Sequence, residues 1–90
     1  MEYEWDENKA AANLSKHGVS FAEAKTVFDD PLYVDFYDPD HSYVEHRFIL
    51  LGESVQGRLL FVSYMERNNI IRLISAREAT TSERKAYEQE

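Results

Sequence analysis

Ile70-Ile-Arg-Leu-Ile-Ser-Ala-Arg-Glu-Ala-Thr-Thr-Ser-Glu-Arg-Lys-Ala-Tyr-Glu-Gln-Glu90 joins two kinds of periodicity. Ile70 to Arg77 is apolar and β-branched, which predicts a strand. Thr80-Thr-Ser-Glu83 is a capping-box signature and predicts a helix running to about Tyr87. A side-chain period of two puts Ile70, Arg72, Ile74 and Ala76 on one face, and Ile71, Leu73, Ser75 and Arg77 on the other. Each face is then mostly apolar with one arginine. Such an arginine either snorkels to solvent and pairs with an acid, or makes planar, bidentate contacts to a phosphate.

Working back along the chain, Arg67-Asn68-Asn69 fits a hairpin turn, as does Ser54 to Gly57. They separate strands expected at His46–Gly52 and Arg58–Glu66. Leu32 to Tyr37 reads as a further strand, followed by an Asp38-Pro-Asp-His-Ser42 loop. Ahead of these lie two helical signals. Asp6 reads as an N-cap for Asn8–His17, which Gly18 stops, with Ala10, Leu14 and His17 on one face and Lys9, Asn13 and Lys16 on a polar one. Ser20-Phe-Ala-Glu23 is a capping box for a helix burying Phe21, Ala24, Val27 and Phe28, ended by Asp29-Asp30-Pro31. Glu2-Tyr-Glu-Trp5 alternates as a short edge strand. The expected fold class is α+β: two N-terminal helices, an antiparallel β-sheet of about four strands and a C-terminal helix.

Ninety residues make one domain, 1–90, and 43% hydrophobic content lies well above that of disordered chains. No run approaches the roughly 18 apolar residues of a membrane helix. The acidic Met1-Glu-Tyr-Glu-Trp-Asp-Glu7 start is unlike a basic, then apolar, signal peptide. Cysteine is absent, which excludes disulfides and thiolate metal sites and fits a cytoplasmic protein. The formal net charge is −7. Residues 1–45 hold three Lys/Arg against eleven Asp/Glu, a balance of −8, and residues 46–90 hold seven against six, +1. This polarity permits one anion-binding face, argues against a general nucleic-acid binder, and suits a basic partner protein.

Few residues carry chemistry by pattern alone. His17, beside Lys16 at a helix C-terminus, either completes that end, or moves a proton or holds a phosphate. Asp35, Asp38, Asp40, His41, Glu45 and His46 cluster over a loop without EF-hand order or a helical His pair, and read as a solvated loop before a metal site. Tyr87 either packs the last helix or stacks on a base beside Arg84 and Lys85.

Glu4-Trp-Asp-Glu-Asn-Lys9, Asn13-Leu-Ser-Lys-His-Gly-Val-Ser-Phe21 and Val27-Phe-Asp-Asp-Pro31 resemble the opening of BrnT toxins. Ile71-Arg-Leu-Ile-Ser-Ala-Arg77, Thr80, Glu83-Arg84 and Ala86-Tyr87 resemble that family's end, so the resemblance spans the chain. It implies a RelE-like fold and a type II toxin that cleaves RNA without metal or cofactor, inhibiting translation and growth. The implied reaction is attack of the ribose 2′-OH on the adjacent phosphate, leaving a 2′,3′-cyclic phosphate, which requires a base, an acid and cations. Of the residues that supply these types, Arg77 and Arg47 are assigned to the phosphate, Lys16 or His17 to proton transfer, and Arg72, Arg84 and Tyr87 to the RNA. The resemblance also implies a BrnA-like ribbon-helix-helix antitoxin, two of each protein per assembly, and DNA contact only through the antitoxin. The competing expectation is a non-catalytic binding module that pairs with such an antitoxin for operon autoregulation. A metal-dependent hydrolase on the Asp38–His46 loop ranks below both.

Overall fold

The computed structural model of the chain describes residues 1–41 and 46–89. A short strand β1 (Glu2–Glu4) leads into helices α1 (Glu7–His17) and α2 (Phe21–Thr26), the latter extended by a 3-10 turn at Val27–Asp29. Strands β2 (Val34–Asp38), β3 (Arg47–Glu53), β4 (Leu59–Arg67) and β5 (Ile70–Glu78) follow, then helix α3 (Thr81–Glu88). The sheet order is β1-β5-β4-β3-β2. The four expected antiparallel strands are present, and β1 adds a fifth, pairing parallel with β5. Among the described residues, no helix is long and apolar enough to cross a membrane.

Local chemistry explains the boundaries. The Asp6 carboxylate accepts from the Asn8 and Lys9 amides at 2.8 and 3.1 Å, and Gly18 ends α1 in the left-handed region at φ 69°. Asn68 and Asn69 both have positive φ, the backbone that a two-residue hairpin matched to strand twist requires. The capping box expected at Thr80 is complete, but the one at Ser20 is only half made. Ser20 Oγ accepts from the Glu23 amide, while the Glu23 carboxylate turns inward to Ser54 and Arg58. An arginine within reach outweighs one backbone amide, because charge-assisted bonds are the stronger ones.

The core lies between one face of the sheet and α1, α2 and the 3-10 turn, and includes Val19, Phe21, Val27, Leu50, Val62 and Leu73. Gly52 makes the close approach of that turn possible. A Cβ there would meet Val27 Cγ1 at 2.9 Å and Tyr33 Cβ at 3.1 Å.

Two assignments of faces are corrected by the packing. In α1, Leu14 is 52% exposed and Asn13, assigned to the polar face, is buried. Asn13 Nδ2 donates to the Ala76 and Val19 carbonyls at 2.8 and 2.9 Å, and its Oδ1 accepts from the Ala76 amide at 3.1 Å. β1 pairs only with Ile70–Arg72, so the rest of that β5 edge needs other partners, and one carboxamide supplies donor and acceptor as a neighbouring strand would. Asn13→Ala strands three buried backbone groups and should cost about 2 kcal/mol in urea denaturation.

The second correction concerns β5. Ser63 faces Ser75 while Tyr64 faces Leu73, so Ile74 is an extra residue, a β-bulge. Beyond it the alternation inverts. Ile71, Leu73 and Ala76 all reach the core, and Arg72 and Arg77, assigned to opposite faces, share the other face of the sheet.

Candidate RNA-binding face

The register across β1, β5, β4, β3 and β2 aligns Glu4, Arg72, Met65, Arg47 and Asp38 in one row on the face opposite the core. Two arginines therefore flank Met65 from strands about 10 Å apart. Arg67 lies two residues beyond Met65 on the same face, opposite Ile70. Glu4, Met65, Arg67, Asn68, Ile70 and Arg72 line a cleft of about 450 Å³ there. Arg72 Nη1 contacts Glu4 Oε2 at 2.6 Å, with both side chains well exposed. An exposed pair of this kind is weak and exchanges readily for a stronger anion. Arg47 and Arg67 are also engaged within the chain.

Arg77 sits at the other end of the same face. Its guanidinium donates to both Glu83 carboxylate oxygens, at 2.8 and 2.9 Å, and lies 4.1 Å from the centroid of the Phe61 ring. Glu83 Oε1 also accepts from the Thr80 amide at 2.9 Å. The hydrogen-bonded Arg77, opposed by burial, holds the Glu83 carboxyl below the usual range. One carboxylate thus caps α3 and ties it to β5.

Tyr87 is placed by its hydroxyl, which donates to Asp30 Oδ2 at 2.7 Å. That bond to a carboxylate, with burial, pushes the phenol up to about 12. Burial pushes the Asp30 carboxyl up, but the Glu53 and Leu32 amides and the Tyr87 hydroxyl together hold it below its ordinary value. Tyr87→Phe should lower stability by about 1 kcal/mol, measured by thermal and urea unfolding. Arg84 is exposed on α3.

Lys16 and His17 end α1, which packs over the core side of β5. Arg58 bridges the Gly18 carbonyl and Glu78, fixing that helix end near the end of β5. Glu78 lies six residues along the strand from Arg72, about 20 Å. The structure therefore brings Arg47, Arg67, Arg72 and Arg77 to one face, and holds Lys16 and His17 away from the Arg47–Arg72 row. The acid/His loop falls partly on residues 42–45, outside the described residues. Among the described residues, no group of three His, Asp or Glu is placed to hold a metal ion.

Sequence reasoning missed Glu4 and Arg67. For Arg67 the signal is present: a two-residue Asn68-Asn69 turn makes residues 67 and 70 opposite, and a period of two carries Arg67 to the face of Met65. No local signal shows that Glu4 will pair with a strand 68 residues away in sequence.

A family model described as the ribonuclease toxin BrnT of type II toxin-antitoxin systems matches residues 5–83. The fold is similar to the 1.1 Å crystal structure of the Brucella abortus ribonuclease toxin BrnT, with a TM-score of 0.66 at 24% sequence identity. That match covers 90% of this chain and 99% of the Brucella chain. No curated protein sequence matches.

Proposed function

From its membership of the BrnT family of ribonuclease toxins, to which the chain belongs, we propose that it cuts RNA endonucleolytically, without a metal, on the arginine-bearing face of its sheet. A ribonuclease toxin of a type II system has RNA as its substrate and an antitoxin as its partner. The observation that carries the placement is the Arg72–Met65–Arg47 row with Arg67 beside it. The scissile phosphate sits over Met65, its non-bridging oxygens facing Arg47 and Arg72, and Arg67 holds the neighbouring backbone. Donors preorganised toward the equatorial oxygens stabilise the phosphorane more than the starting diester.

In the reaction, the 2′-oxygen attacks phosphorus as its proton passes to a base. The 5′-oxygen leaves with a proton from an acid, giving a 2′,3′-cyclic phosphate. Glu4, in contact with Arg72, is the carboxylate placed to accept the 2′-OH proton. Lys16 and His17 act only if the RNA passes round the β5 edge, in which case Arg77 would be the nearer cation. Glu4→Gln and His17→Ala separate the two: the assignment to Glu4 expects cleavage to fall at least about 100-fold in the first and within twofold in the second. Arg84 extends the electrostatic track along α3.

The partner in this reading is a BrnA-like ribbon-helix-helix antitoxin in a two-plus-two assembly that represses its own operon, and the setting is the cytoplasm. A second reading, a non-cutting module that only pairs with the antitoxin, draws on the engagement of Arg72 by Glu4 and of Arg77 by Glu83. Inducing the chain alone in a bacterium decides between them. Growth arrest with cleaved RNA, lost in Arg72→Ala, supports the nuclease, whereas normal growth with intact RNA leaves the binding module. Cleavage by the purified chain that persists in EDTA supports metal independence.

A further inference from the structure

β2 ends one side of the sheet, and among the described residues no strand pairs with its outer edge. Such an edge offers unpaired amides and carbonyls to any extended chain. Of seven large apolar side chains left exposed among the described residues, four lie between residues 32 and 37: Leu32, Tyr33, Phe36 and Tyr37. The register puts Tyr37 beside Phe48 on the core-side face and Phe36 beside Ile49 on the other, so the edge carries an apolar surface on both sides. Residues 29–40 contain five aspartates and no lysine or arginine, with Asp29, Asp35 and Asp40 exposed.

Exposed edges are ordinarily guarded by charge, most often lysine. Here the guard is acidic throughout, which changes what it excludes. A second copy pairing on β2 would bring aspartates together across a strand spacing of about 4.8 Å, which is repulsive. A nucleic acid is excluded by the same sign. A strand carrying lysine or arginine meets opposite charge and a free ladder at once.

We propose that β2 is a docking edge for an extended segment of a partner protein, one in which basic residues alternate with apolar ones, added as a sixth strand. Main-chain hydrogen bonds supply the affinity, Phe36 receives the apolar side chains on one face, and Asp35, beside Tyr37 on the core-side face, selects for the basic ones. The Arg72 strand lies three strands away in the sheet, so occupation of β2 does not use Arg72.

The test is amide NMR of the full chain with a short capped peptide alternating lysine and valine, beside its glutamate and valine counterpart. The lysine peptide should shift resonances of Val34–Asp38 and slow alternate β2 amides to hydrogen exchange by about tenfold at saturation. Asp35→Lys should weaken it at least about fivefold, the effect of one exposed charge pair, and favour the glutamate peptide instead. Arg72→Ala should bind the lysine peptide as the parent does, so failure of the RNA reading leaves this inference standing. The proposal is overturned if no shifts appear by about 5 mM peptide, if both peptides bind equally, or if the shifts map to another surface. Shifts of Val34–Asp38 that grow with concentration of the chain alone would assign the edge to a second copy and overturn it equally.

Discussion

Arg72→Ala should cut RNA at least about 100-fold more slowly in single turnover than the parent chain, a loss of roughly 3 kcal/mol of transition-state stabilisation. Arg72 is one of the two cations that flank Met65 in the row, with Glu4 on its outer side and Arg47 across Met65. In the proposed reaction, removing its fork takes away two donors aimed at charge that develops on the phosphorane. Arg72→Lys keeps the charge and loses the planar pair of donors, so its rate should fall between the two, near a tenfold deficit. RNA affinity should also lose salt dependence: one phosphate contact fewer lowers the log–log slope by about 0.7 for a single strand. Stability is the control. The Arg72–Glu4 pair is exposed, so its loss should change unfolding by at most about 1 kcal/mol. Unchanged cleavage with unchanged salt slope would remove Arg72 from the site and move attention to the Arg77 end of the face.

Arg58→Ala should damage the fold heavily, costing about 4 kcal/mol in urea denaturation. The Glu23 side chain is 2% exposed, and Arg58 supplies its charge partner through Nε at 3.0 Å and through Nη2. Ser54 Oγ donates a further bond at 2.7 Å, and Arg58 also reaches the Gly18 carbonyl at 3.0 Å. Without the guanidinium, a buried carboxylate keeps one hydroxyl and no opposite charge. A 90-residue domain holds only roughly 5–10 kcal/mol in total, so about half of it is at stake.

The pH dependence identifies the cause. Hydrogen bonding to Arg58, then opposed by burial and reinforced by Ser54, lowers the Glu23 carboxyl from its ordinary 4.5. A carboxyl depressed in the folded state contributes stability that is present above about pH 4.5 and lost as pH falls through its folded value. In Arg58→Ala, burial without a cation raises the same carboxyl, so acid should now protonate it at little cost. The deficit against the parent should therefore be largest near neutral pH, begin to shrink as pH falls through the variant's raised carboxyl, and shrink further below about pH 4.5 as the parent loses its own contribution. Adding Glu23→Gln to Arg58→Ala should restore most of the loss, with the coupling read from the double-mutant cycle. A deficit constant from pH 7 to 3 would mean that lost packing of the arginine stem, not the stranded charge, is responsible.

Elements were legible where the information is local. Asp6, Gly18, Thr80 with Glu83, and Asn68-Asn69 each act on groups within about four residues, and each marks its boundary in the structure. Ser20 with Glu23 reads the same way in sequence, yet a distant arginine redirects the carboxylate. The candidate site divides similarly. Arg47, Arg72 and Arg77 are visible as cations on apolar strands, and what they share is not. The bulge at Ile74 depends on how β4 lies against β5, and without it Arg72 and Arg77 would point to opposite sides.

By itself, then, the sequence determined the order and kind of the elements, the turn chemistry between them, the acidic N-terminal half and the arginines on the late strands. Tertiary structure alone decided that β1 joins β5 in parallel and brings Glu4 to Arg72, and that Asn13 leaves the polar side of α1 to complete the β5 edge. It also decided that one extra residue gathers the arginines on a single face. The physical reason is range. Capping and turn preferences act between near neighbours and are written in consecutive residues. Strand register, edge completion and the phase of a bulge are set by unpaired backbone groups and apolar surfaces meeting across the fold, at separations of more than sixty residues for Glu4 with Arg72 and Asn13 with Ala76.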